Sequence, residues 1–176
     1  MPEEQTIIFG IPVPSSDPLF ITIVVIHILL GIICVISGFI AMMSRKGRGN
    51  HSRWGKLYYA TLLLIFVTII PLSVMRWPAN NHLLALGILS FGAASYGRWI
   101  VRHHKHAWPR LHTICMVCSY IFLLTAFYVD NGKHLPFWRQ FPQLFFWIFP
   151  AAIGVPIILY SLLRHPLNRI IRNKEV

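Results

Sequence analysis

Nine histidines run through a chain of 176 residues that carries only five acids. Imidazole can bind a metal or move a proton near neutrality, and here it is the plentiful side chain able to do so. Competing chemistries lack their parts. Glu3, Glu4, Asp17, Asp130 and Glu175 all lie outside the middle of the apolar runs, so no carboxylate pair is set for hydrolysis or for an ion-coupled relay. There is no serine–histidine–aspartate order, no zinc-protease signature and no glycine-rich phosphate loop. Cys115 and Cys118 have the spacing of a redox motif, but they lie in an apolar run, as does Cys34, and read as small packing residues.

The elements that must position the histidines follow from composition. Apolar residues make up 56% of the chain and charged residues 12%, about half the charge of a soluble domain. That excludes a cytosolic enzyme, a disordered chain and a disulfide-stapled secreted domain, and points to the lipid bilayer as the solvent. Five apolar stretches, near 18–43, 57–75, 82–101, 111–129 and 143–163, each reach the ~20 residues a membrane helix needs. The expected fold is all-α: a bundle of five transmembrane helices over 18–163, with an N-terminal tail (1–17) and a basic C-terminal tail (164–176). Joints this short make consecutive helices antiparallel neighbours. Asn50 is expected to cap the second helix, Pro71 to kink it, and Pro150, Gly154 and Pro156 to disturb the fifth.

Charge sets the expected orientation. Of the 16 Lys and Arg, all but Arg76, Lys133 and Arg139 fall in the first and third joints, at the ends of the spans that meet there, or in the C-terminal tail. By the positive-inside rule the N-terminus is outside and the C-terminus cytoplasmic. The net charge of +11 therefore reflects basic loops rather than a nucleic-acid partner.

Depth then sorts the histidines. His27 stands 18 residues before Arg45, and His82 stands 20 before Arg102. At ~1.5 Å per residue both sit high toward the outer side, on helices one and three. His51 is two residues from Arg53 and His112 two from Arg110, at the inner starts of helices two and four. Two imidazoles at one depth on facing helices can ligate a haem iron from both sides, so His27, His82, His51 and His112 are candidate haem b ligands. His27, His51 and His112 are equally candidates for a smaller metal ion. The small residues Gly31, Cys34 and Gly38, on one face with His27, would admit a flat macrocycle or the Gly-rich face of a second copy. The layout of the pairs resembles that of the ascorbate-dependent transmembrane b cytochromes. Rival readings are a small oligomeric cation transporter, suggested by the fifth helix and His103-His104-Lys105-His106, and an accessory protein without chemistry. No role attaches to His103, His104, His106, His134 or His165.

A wider set of residues also resembles a bacterial membrane-protein family catalogued only as a domain of unknown function. These are His27, Gly31 and Gly38; Arg45-Lys46-Gly47; His51, Gly55 and Tyr58; Asn81-His82-Leu83-Leu84; Phe91; Tyr96-Gly97-Arg98; Ser119-Tyr120-Ile121; Thr125-Ala126-Phe127; and Pro150, Gly154 and Pro156. The resemblance covers roughly residues 20–160. It implies a polytopic bundle in a bacterial plasma membrane, with histidines at His27, His51 and His112, and supplies no activity. The family pattern has an apolar residue where His82 stands.

The orientation is open to a direct check. A cysteine probe at Ser15 is expected to react with an impermeant reagent added from outside, and one at Asn173 to be protected; the reverse pattern would invert the topology.

Overall fold

The computed structural model describes residues 6–8, 11–13, 17–45, 49–103 and 108–163. Lys46, His104, His106, His165 and the basic tail lie outside these residues. Five helices are long and apolar enough to cross a membrane. They are α1 (Pro18–Met43), α2 (Asn50–Met75), α3 (Asn81–His103), α4 (Trp108–Asn131) and α5 (Gln143–Leu163). Ahead of them, β1 (Thr6–Ile8) and β2 (Ile11–Val13) pair antiparallel, with Thr6 opposite Val13. This short ribbon has no counterpart in the sequence expectation, although its β-branched residues suit it.

Local chemistry explains the ends. Asp17 caps α1: its side chain accepts from the Leu19 amide at 2.9 Å, and Pro18 follows in the first turn, where its missing N–H costs nothing. α2 starts seven residues before its apolar stretch. His51, Ser52, Arg53 and Lys56 are polar, yet all can be helical, and hydropathy marks lipid depth rather than helix length. The expected Asn50 cap is not formed: the cap position is Gly49, with no side-chain bond, and Asn50 is already helical. Pro71 lies inside α2, and Pro150 and Pro156 lie inside α5, which stays one continuous helix.

Consecutive helices pack as neighbours, most extensively α1 on α2 and α3 on α4, and α5 adds onto α4. Leu29, Ile32, Ile33, Ile36 and Phe39 of α1 face outward. In lipid such a surface is ordinary, and helix association must come from close packing and interhelical hydrogen bonds. Threonine hydroxyls are accordingly satisfied within the protein, whereas Ser73 Oγ, fully buried on α2, has no hydrogen-bond partner. Thr22, Thr61, Thr68, Thr113 and Thr125 each donate to the carbonyl four residues back.

The strongest interhelical ties lie near mid-span. Tyr58 of α2, 2% exposed, shares a 2.7 Å hydrogen bond with Ser119 of α4. Ser90 of α3 donates to the Ser119 carbonyl at 2.8 Å. Tyr120 of α4 donates to the Val35 carbonyl of α1 at 3.0 Å. All four helices meet in this knot. Gly38 completes it, because a Cβ there would come within 2.7 Å of the Tyr120 ring and 2.8 Å of the Tyr58 ring. At Gly38 the small-residue face is thus filled from within the chain, whereas at Gly31 it is open.

Gly38→Ala is expected to lower thermal stability in detergent, by ~1–3 kcal/mol, because two tyrosine rings must move. Gly31→Ala, where an added Cβ meets nothing within 4 Å, is the control and is expected to be tolerated. Equal stability of the two variants would refute the packing assignment.

Candidate functional site

His51 opens α2 and His112 opens α4, at the end of the bundle that carries Arg53, Lys56, Arg98, Arg102 and Arg110. The two rings lie 6.4 Å apart, centroid to centroid, with their planes at 82°. Both are part-buried. The backbones of α2 and α4 are not close neighbours, so the rings meet across the bundle.

The knot sets this meeting. Tyr58 is seven residues beyond His51, and Ser119 seven beyond His112. Seven residues are nearly two whole turns, so each knot residue stands on the same face as its histidine, ~10 Å along the axis. The Tyr58–Ser119 bond therefore aligns α2 and α4 at one level and brings the imidazoles together at the next.

Each ring is held by a backbone carbonyl. The Nδ1 of His51 is 2.8 Å from the Ala41 carbonyl of α1. Ala41 is in the last turn of α1, whose carbonyls have no amide partner further along the helix. The Nδ1 of His112 is 3.0 Å from the Gly97 carbonyl of α3, which uses a second lone pair beyond its helical bond. Gly97 also permits the approach, because a Cβ there would fall 2.9 Å from Cys115 Cβ. A carbonyl only accepts, so Nδ1 must carry the proton in both rings, and the lone pair of each neutral ring is on Nε2. This is how ligating histidines are oriented in metal proteins.

The outer candidates are arranged differently. His27 has its Nδ1 2.8 Å from Thr68 Oγ1 on α2. His82 lies 6.0 Å from the Trp147 ring of α5. The two histidines expected to face one another are thus engaged with different helices. Of the others, His103 is exposed, stacks on Trp99 and bonds its carbonyl, and His134 is exposed in a 3-10 turn. Cys115 is buried against Gly97, consistent with a packing role. Among the described residues, no three His, Cys, Asp or Glu side chains converge as a metal cluster.

Sequence reasoning reached His51 and His112 but missed their holders. Ala41, Gly97 and Thr68 act through backbone atoms or one hydroxyl, which no motif marks. The seven-residue offset to Tyr58 and Ser119 was readable, and is the signal that could have found the knot.

No family model, curated protein or solved structure matches the chain.

The tautomers can be tested. Nitrogen-15 spectra of histidine-labelled protein at neutral or higher pH are expected to show Nδ1–H for both His51 and His112. An Nε2–H form of either ring would break the assignment.

Proposed function

We propose that this chain is a b-type electron carrier of the bacterial plasma membrane, holding haem b between His51 and His112 at its cytoplasmic, basic end. The observation that carries the reading is the facing pair of imidazoles, each with Nδ1 tied to a backbone carbonyl. Two rings that bind one iron from opposite sides at ~2 Å per bond bring their centroids to about 6 Å. The observed 6.4 Å agrees with that span.

The donor count supports haem over a lone ion. A zinc or copper site draws three or four ligands from the protein. Among the described residues the two imidazoles face one another, and no three His, Cys, Asp or Glu side chains form a group that could hold an ion. A macrocycle supplies four nitrogens of its own, so two axial imidazoles suffice. Room exists one turn beyond His51, where a Cβ added to Gly55 would meet no atom within 4 Å. The carbonyl bonds make each imidazole more basic and hold its orientation, which stabilises the ligated form.

Haem iron, when bound, supplies one-electron chemistry. The chain's residues decide what kind. With imidazole on both axial sides no coordination position is left for substrate, which favours electron transfer over oxygen chemistry. Arg53, Lys56, Arg98 and Arg102 surround the same end, and a positive rim draws an acidic redox partner to it. Arg98 is held in place by lying 4.7 Å over the Tyr59 ring. Transport is the weaker reading. α5 remains helical through both prolines and packs chiefly against α4, so it offers no unwound carbonyls for an ion.

Purified protein is expected to carry a Soret band and sharp reduced α-band of a low-spin haem. His51→Ala and His112→Ala should each abolish the low-spin signature. Occupancy should fall on acidification, because a ring must be neutral to bind iron and protons compete for the same lone pair. Colourless protein that also fails to bind added haemin would refute the reading.

A further inference from the structure

The described cations of the basic end are, with one exception, accounted for locally. Arg45, Arg53, Lys56 and Arg102 are exposed, so water and lipid headgroups can solvate them. Arg102 also stands in the last turn of α3, where the negative end of the helix favours a cation. Arg98 lies 4.7 Å over the Tyr59 ring.

Arg110 is the exception. It is part-buried, and its Nε is shut off from solvent without a hydrogen-bond acceptor. It also sits in the first turn of α4, at the positive end of a 24-residue helix. No acid stands in that turn. None stands in the first turn of α2 either, which starts at the same end without a side-chain cap. The described acids, Asp17 and Asp130, lie at the opposite end of the bundle. A guanidinium keeps its charge, so a buried nitrogen beside a positive helix end calls for an anion that the described residues do not supply.

Depth and charge narrow the identity of that anion. The segment Pro109–His134 is apolar enough to cross a membrane, and Arg110 is its second residue. At this level the phosphates of lipid headgroups meet the hydrocarbon. The guanidinium fork fits a phosphate through two parallel hydrogen bonds. Leu111, the next residue, is 37% exposed and offers an apolar surface to an acyl chain. A zwitterionic headgroup would bring an ammonium into the same positive field, where no described acid receives it. We infer that Arg110 is the core of a binding site for the phosphate of one anionic phospholipid. The positive starts of α2 and α4 add to its field. Such a site needs no haem, and stands whether or not His51 and His112 hold one.

Native mass spectrometry of the full chain, offered phosphatidylglycerol and phosphatidylcholine of the same acyl chains, tests the site. Wild-type protein should retain one phosphatidylglycerol in preference by roughly tenfold, the yield of one charge-assisted hydrogen bond. Arg110→Gln should abolish the preference. Arg53→Gln removes the same charge from an exposed position and should leave the preference within about twofold. Added phosphatidylglycerol should raise the melting temperature of wild type and Arg53→Gln, but not of Arg110→Gln. Should Arg110→Gln fail to fold, Arg110→Lys keeps the charge but loses Nε and the fork, and should retain the lipid roughly tenfold less. Equal retention of the two lipids by wild type would overturn the site. Equal losses in Arg110→Gln and Arg53→Gln would also overturn it, marking general attraction to a basic surface, as would full retention in Arg110→Lys. A haem carboxylate shares the chemistry of a phosphate. Lowered haemin affinity in Arg110→Gln with lipid retention unchanged would assign Arg110 to that carboxylate and overturn the lipid site.

Discussion

A bilayer offers no water to a polar group, so a hydroxyl placed inside it is stabilised by a partner in the protein. The whole bundle is arranged around that constraint at one level. Tyr58, Ser90, Ser119 and Tyr120 bring four hydroxyls to the middle of the helices, and each is satisfied by another helix. A single interhelical hydrogen bond in a membrane contributes only about 0.6 kcal/mol. The knot matters less as a sum of bonds than as a restriction on register. Sliding α2 by one turn against α4 would strand the Tyr58 and Ser119 hydroxyls together, at a desolvation cost of ~1–3 kcal/mol for each group left unpaired.

Register fixed at the knot is register fixed at the histidines. His51 and His112 lie seven residues from Tyr58 and Ser119, on helices that leave the knot in the same direction. The other two helices then orient the rings. α1 ends close to His51 and offers a carbonyl its own amides do not use, while α3 comes close to α4 at Gly97 and offers a second lone pair. All four helices contribute to a site whose imidazoles come from two. α5 supplies none of these contacts. Its Phe145 and Phe149 join Trp138 and Tyr128 in an aromatic cluster at the opposite end, where amphipathic rings suit a membrane interface.

The five helices were legible because lipid demands long apolar runs, and four of them began within about three residues of the hydropathy edge. α2 began earlier, since its first two turns lie at the basic end, where polar side chains carry no penalty and so leave no hydropathy signal. His51 and His112 were legible through distance from boundary arginines, a one-dimensional measure of depth. For His27 and His82 the same measure says less, since His27 bonds Thr68 of α2 and His82 lies beside Trp147 of α5. It gives height but not azimuth, and rotation about α3 turns His82 toward α5. The anchors were hidden for another reason: Ala41 and Gly97 contribute a carbonyl that every residue possesses, and only the fold decides which carbonyl is in reach. The ribbon of Thr6–Ile8 and Ile11–Val13 was missed because six residues are too few for a period to stand out beside the spans that follow.

The two anchors differ in a way that bears on what their imidazoles can do. A backbone carbonyl is fixed by its helix and has no proton to give, so at His51 and His112 it imposes one tautomer outright. Thr68 is a hydroxyl and could give its proton to His27 instead of to its helix. Two carbonyls of its own helix, at 2.9 and 3.1 Å, compete with His27 for that proton. Donation to His27 would cost Thr68 both of these contacts. In a medium with no water to compensate, the choice of acceptor at Thr68 and the tautomer of His27 are thus coupled through one oxygen.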